Sequence, residues 1–343
     1  MALRVTHAAA GVTLALMMGE NVCAQAQSVE AFYRGRQIEF ISAGEPATTQ
    51  DTWSRVLARH MPKHIPGRPS MVVKNVPGSG HIKAASYLFS IAPQDGSSIG
   101  TYSATIITGY VLKLAGINFD VTKFRWLGSP DKTNRVCVAK AGASVQTAGD
   151  LFERELIVGG TGATGGVSGP PTLVKALLGM KFKLVEGYPG PPELFIAMEK
   201  GEVDGACNLL SGVENARPGW LAQGKLKILF NMEKERLPGL DVPTIYEFAK
   251  TDEQKQILTF YGAGLELGRP FLAPPGVPAD RFAALRGAFH ATLHDPEFVK
   301  EAQTARLDIT PITGERLAEV VAELMAAPSA IAEKTGRLLE PVN

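Results

Sequence analysis

From Gln37 onward, short runs of β-branched and aromatic residues alternate with longer runs whose apolar residues recur every three or four positions. This alternation restricts the chain to α/β architectures with largely parallel sheets. Residues 38–41 read as a strand. A helix follows, capped by Thr48 or Thr49, with Asp51 in its first turn and Trp53, Val56, Leu57 and Met61 on one face, and it ends at Pro62 and Pro66. Residues 71–74 give the next strand, 82–89 a helix and 98–101 a third strand.

A second series repeats the pattern: strand 135–139, a helix begun by Thr147, strand 156–159, a Gly-rich turn into a helix near 171–178, strand 183–186, helix 192–200, and strands 203–207 and 225–230. Each series has about a hundred residues, the usual size of a domain. The Pro- and Gly-rich stretch 268–278 breaks the pattern, and helices over 280–293 and 314–325 finish the chain.

The first residues differ from the rest. Arg4 precedes an apolar or small-residue run over 8–19, and Val22-Cys23-Ala24 or Ala24-Gln25-Ala26 offers a small-residue cleavage site. Residues 1–26 therefore read as a signal peptide, which places the mature protein in the periplasm. The run is shorter than the ~20 residues that span a bilayer. Glu20-Asn21-Val22 ahead of Cys23 lacks the Leu and small residues of a lipid-attachment site. Cys137 and Cys207 each lie in an apolar strand; they could bond in an oxidising compartment or stay as buried thiols. With 35 basic and 34 acidic residues spread along the chain, there is no footprint for nucleic acid.

The residues suited to binding lie where strands hand over to helices. In the first series these are the loops of Ser42, Gly44 and Thr48, of Gly78 and Ser79, and of Ser103 and Thr105. Small residues there let backbone N–H groups approach an anion such as a carboxylate. The second series adds Gly160-Thr161-Gly162-Ala163-Thr164-Gly165, with Glu186 further on. That is the dinucleotide fingerprint, so an NAD-dependent oxidoreductase is the alternative reading; the same loop also serves as the second anion cradle through Thr161, Gly162 and Thr164. Tyr188 could place a phenol over a cleft and Asn208 could donate to a ligand oxygen. His60 with His64 and His290 with His294 have i, i+4 spacing, but Pro62 interrupts the first pair and neither has a third ligand in an HExxH pattern. With no GxSxG elbow, P-loop lysine or CxxC, the expectation is a protein that is not an enzyme and needs no cofactor or metal.

The chain resembles the receptors of tripartite tricarboxylate transporters, the Bug or TctC-like proteins. The similarity runs from about Phe32 to the C-terminal helices. It is carried by Gln50-Asp51-Thr52-Trp53-Ser54-Arg55, Asn75-Val76-Pro77-Gly78-Ser79-Gly80, Ala92-Pro93-Gln94-Asp95-Gly96, Gly187-Tyr188-Pro189-Gly190, Gly201-Glu202-Val203-Asp204 and Ala273-Pro274-Pro275-Gly276-Val277-Pro278. The resemblance implies a type II periplasmic-binding-protein fold, two α/β lobes with a ligand cleft at the hinge. Residues 27–127 would begin lobe 1, 128–231 form lobe 2, and 232–343 return to lobe 1 with the C-terminal helices packing across both. It further implies a monomer that binds a small organic carboxylate and delivers it to a membrane permease, or presents it to a sensor kinase. Glu45-Pro46-Ala47 departs from the paired glycines usual in the family's first loop, and Glu45 would repel a carboxylate if it faced the cleft.

Overall fold

The computed structural model describes residues 27–114, 116–161 and 166–340. The signal peptide expected over residues 1–26, and Gly162 and Thr164 of the glycine-rich loop, lie outside the described residues.

The chain opens with α1 (Val29–Tyr33), β1 (Gln37–Ser42), α2 (Thr49–His60), β2 (Ser70–Asn75), α3 (Ile82–Ser90), β3 (Ser98–Thr101), α4 (Thr105–Val111) and β4 (Arg125–Ser129). It continues through β5 (Arg135–Lys140), β6 (Leu156–Gly159), α5 (Gly169–Leu178), β7 (Phe182–Val185), α6 (Pro191–Lys200), β8 (Gly205–Leu209), α7 (Leu210–Ala216) and β9 (Leu226–Asn231). It ends with α8 (Asp252–Glu266), β10 (Phe271–Ala273), α9 (Ala279–Leu293), α10 (Pro296–Thr304), β11 (Ile312–Thr313), α11 (Gly314–Ala326) and α12 (Ser329–Leu339).

The strands form two sheets. One has six strands in the order β11-β4-β10-β3-β1-β2, and the other has five in the order β7-β6-β8-β5-β9. Each sheet is the floor of one lobe. The expectation of largely parallel sheets holds only in part. β1 runs parallel to β2 and β3, and β6 to β7 and β8. β10 and β11 run antiparallel to their neighbours, as does β5 between β8 and β9. β5 and β10 are the strands on which the chain enters one sheet after leaving the other. Neither arrives through a helical crossover from its own sheet, the connection that a parallel neighbour requires.

Two other expectations are corrected. The helix begun by Thr147 is a single 3-10 turn, Gly149–Phe152. The Pro- and Gly-rich stretch 268–278 contains β10, whose Phe271, Leu272 and Ala273 are fully buried between β3 and β4. A three-residue strand between Gly268, Pro270 and Pro274 is too short to show a period of its own.

Side-chain alternation sorts the core. Val136 and Val138 of β5 pack with Leu194 and Phe195 beneath α6, whereas Cys137 and Ala139 point into a cluster that runs on to Tyr102, Trp126 and Leu258. A third cluster, with Phe40, Trp53, Phe271 and Phe298, fills the other face of the six-stranded sheet. α11 lies against β4 and α8, while α12 lies against α8 and against α5, the helix between β6 and β7. Among the described residues no helix is long and apolar enough to cross a membrane.

Candidate ligand-binding cleft

A cavity of about 830 Å³ opens between the two sheets, within the size range of small-molecule sites. On the side of the six-stranded sheet it is lined by Gln50, His81, Ser103, Thr105 and Thr108. These side chains are positioned by the turns after β1, β2 and β3. The left-handed backbone of Gly78, Ser79, Gly80 and His81 coils the chain tightly after β2. It leaves Gly78 and Ser79 exposed and brings His81 inward, where its Nδ1 accepts the Ser103 N–H at 2.9 Å. Burial lowers the His81 pKa, so the ring is neutral and carries its proton on Nε2, a donor without charge. Thr105 Oγ1 donates to Ser103 Oγ at 2.9 Å, which clusters two hydroxyls at the start of α4.

On the side of the five-stranded sheet the lining includes Thr133, Arg135, Gly166, Gly169 and Leu209. Arg135 opens β5 and is only 9% exposed. Its guanidinium donates to the Gly166 carbonyl, its Nε is buried without a partner, and among the described residues no carboxylate lies within ion-pair distance of it. Burial lowers its pKa, opposed by Tyr261 and Glu233; Glu233 Oε1 meets only the Arg135 backbone N–H, at 3.4 Å. An arginine stays charged under such pressure. Tyr261 of α8 faces the start of α5, and Gly169 there leaves room for its hydroxyl: a Cβ would come within 2.7 Å of it.

The segments joining the lobes form the remaining edge. Arg269 lines the cavity and is ion-paired with Asp131. Burial pushes the Arg269 guanidinium down to about 10. Ser129 Oγ donates to the Asp131 carbonyl at 2.8 Å and accepts the Arg269 N–H at 2.9 Å, and Thr133 Oγ1 donates to the Leu265 carbonyl at 2.9 Å. Gly268, with φ of +60°, passes so close to Asp131 that a Cβ would lie 2.1 Å from its carbonyl oxygen. Two crossings of the hinge are thus laced together beside the cavity.

No family model and no curated protein matches the sequence. Solved structures do. A TctC solute-binding protein from Polaromonas superposes with a TM-score of 0.69 at 18% identity, over 89% of this chain and 99% of that one. The periplasmic binding protein BugD gives 0.64 at 20% identity, over 89% and 99%. MatC from Rhodopseudomonas palustris with bound malate gives 0.61 at 19%, again over 89% and 99%. The chain has the fold of these periplasmic binding proteins.

Within that periplasmic-binding-protein fold, of the ten sequence-derived candidates among the described residues, Ser103 and Thr105 line the cavity. Ser42 is fully buried at the end of β1 with its Oγ unpartnered. The Gly44 carbonyl accepts from Asn75 Nδ2 at 2.8 Å, and Thr48 caps α2 through the Asp51 N–H. Thr161 donates its N–H to Ser168 Oγ at 3.2 Å, and Tyr188 reaches Glu202 at 3.4 Å. Asn208 Oδ1 accepts the Leu209 N–H at 2.8 Å, and Leu209 lines the cavity. Glu45 is exposed and does not line the cavity, which removes the expected repulsion. Glu186 accepts from Ser168 Oγ at 3.0 Å, and a Cβ at Gly160 would lie 2.4 Å from its Oε2, so this carboxylate packs against the base of its own loop.

Arg135, Arg269, His81 and Tyr261 were not among the expected site residues. For Arg135 a signal existed: a single arginine opens an otherwise apolar run, Arg135-Val136-Cys137-Val138-Ala139, and arginine is seldom buried without a reason.

Proposed function

We propose that the protein is an extracytoplasmic solute receptor of the tripartite tricarboxylate transporter type, secreted through residues 1–26, which captures a small organic carboxylate between its lobes and delivers it to a membrane permease. The observation that supports this reading is the cavity itself. It lies between the two sheets and is lined from both, with hydroxyls, a neutral His81 and the Arg135 guanidinium turned into it. Structurally similar proteins hold malate and adipate, and a carboxylate group is what such donors suit. Closing the lobes on a carboxylate brings the donors of both sides to it at once, and closure gives a permease a surface that the open form lacks. Hydrogen bonds to a charged group contribute roughly 1.5–3 kcal/mol each, so a few of them support the about −8 kcal/mol of micromolar binding after association costs. Binding and release need no bond to be made or broken, so no catalytic group is assigned.

A thermal-shift screen of the mature protein against mono-, di- and tricarboxylates, with NAD as the control, tests the proposal. A ligand at a hundred times its Kd adds about 2.7 kcal/mol, a rise of several degrees in Tm for a chain of this size. A rise with an acid and none with NAD supports a receptor. A rise with NAD alone overturns it.

A further inference from the structure

The charges around the cavity are unequal in kind. Arg269 is neutralised by Asp131 beside it. Lys113, Arg337, Glu333 and Glu340 also line it, but all four are exposed to solvent, where water screens their charge. Arg135 alone is a buried cation of the lining without an ion-pair partner among the described residues, and Glu233 is the acid that acts on it from nearby. Taking a guanidinium out of water is costly unless an anion meets it. Its planar fork matches a carboxylate in two parallel hydrogen bonds, and with Nε buried and unpartnered it retains donors to give.

Beyond Arg135 and the paired Arg269, the buried part of the lining offers no further charge among the described residues. What it offers is carbon: Val111, Leu112, Leu114, Leu265, Met325 and Leu339 lie along the part of the cavity between α4, α8 and the C-terminal helices. A second carboxylate placed among these carbons, away from the exposed Lys113 and Arg337, would lose its water and meet no buried partner, a cost larger than any one hydrogen bond returns.

Taking the receptor reading as given, we infer that Arg135 is the residue that pairs with the ligand, and that the ligand is a monocarboxylate with an apolar chain or ring rather than a di- or tricarboxylate. Selectivity then comes from the single buried charge at one end of the cavity and the carbon lining at the other. The six-carbon acids hexanoate and adipate differ only in whether the far end is a methyl group or a second carboxylate, so they isolate the question.

Isothermal titration of the mature protein with hexanoate, benzoate, adipate, malate and the uncharged hexanamide gives the test. Hexanoate or benzoate should bind at least tenfold more tightly than adipate and malate, and hexanamide at least a hundredfold more weakly than hexanoate. Arg135→Gln should lower hexanoate affinity at least a hundredfold, while Arg135→Lys, which keeps the charge and loses the fork, should fall between. The hexanamide comparison needs no substitution, so it decides the point even where Arg135→Gln fails to fold. Tighter binding of adipate or malate than of hexanoate and benzoate, or unchanged affinity in a folded Arg135→Gln variant, would overturn the inference and leave the receptor reading standing. Binding of none of the five overturns both.

Discussion

Asp131 and Arg269 form an ion pair, nearly buried, between two segments that carry the chain from one lobe to the other. Each comes from a different crossing, so the pair fastens the hinge beside the cavity. Asp131 Oδ1 is buried without a partner, so the pair is incompletely satisfied. Removing one half leaves a charge stranded in a poorly solvated place, which typically costs about 3–5 kcal/mol, whereas replacing both by apolar groups is often neutral. Asp131→Asn should therefore destabilise the protein by about that much in urea unfolding, and Asp131→Leu with Arg269→Met should recover most of the loss. Equal losses in the single and double variants would show that packing, and not charge, holds this edge.

Cys137 and Cys207 stand opposite each other on β5 and β8 and are joined by a disulfide. The bond closes a chain segment 70 residues long, and loop entropy predicts about 4 kcal/mol for a loop of that length. Replacing both cysteines by alanine should lower the unfolding free energy by about 2–4 kcal/mol. Because both sulfurs are buried, a reductant should act slowly on the folded protein and quickly once urea has opened it. Mass spectrometry of alkylated protein, with and without urea, reads the difference directly.

How much of this was legible in the chain depends on the kind of signal. The βα alternation, the capped helix of Trp53 and the strand of Cys137 were readable because each repeats a local period. α8 also carries a local sign, the capping box of Thr251 and Gln254, which lies in the sequence as Thr-Asp-Glu-Gln. β10 was not readable, since three buried residues between prolines and glycines have no period. Nor was the direction of β5, which depends on the chain's route between lobes. The site was the least legible part. Of the loops rich in small residues, the Ser103 turn lines the cavity directly, whereas Gly78 and Ser79 shape a turn that delivers His81. Only the assembled fold shows that one strand-opening arginine faces a cavity.

Asp295 joins the start of α10 to the 3-10 turn Met61–His64 that follows α2. Lys63 Nζ lies 2.7 Å from its Oδ2 and His64 Nε2 2.9 Å away, and the Glu297 N–H donates to Oδ1 at 2.9 Å. Hydrogen bonding from Lys63, opposed by burial and reinforced by His64 and the Glu297 and Phe298 N–H groups, holds its carboxyl far below the usual range. A carboxylate with a depressed folded pKa adds stability that is complete above its unfolded pKa of about 4 and is lost as the pH falls below that value. Asp295→Asn keeps a capping side chain and removes the charge. Its Tm should lie below that of the parent at pH 7, with the gap narrowing steadily from pH 5 to pH 2. A gap of constant size over that range would mean that the charge of Asp295 contributes nothing.

Thr48 and Ser103 were equal candidates as ligand contacts, and the structure gives them different work. Thr48 Oγ1 accepts the Asp51 N–H at the start of α2 and donates to the Glu45 carbonyl at 2.7 Å, so both its roles are spent within its own turn. Ser103 lines the cavity beside His81 and Thr105. Thr48→Ala should cost about 1 kcal/mol of stability, the usual loss for a cap, and leave the Kd of the carboxylate within a factor of about two. Ser103→Ala should weaken binding by about tenfold, the value of one hydrogen bond to a charged group, with little change in stability. Urea unfolding and titration of both variants separate the two effects. A loss of affinity at Thr48 with none at Ser103 would move the ligand from the Ser103 turn toward the first loop.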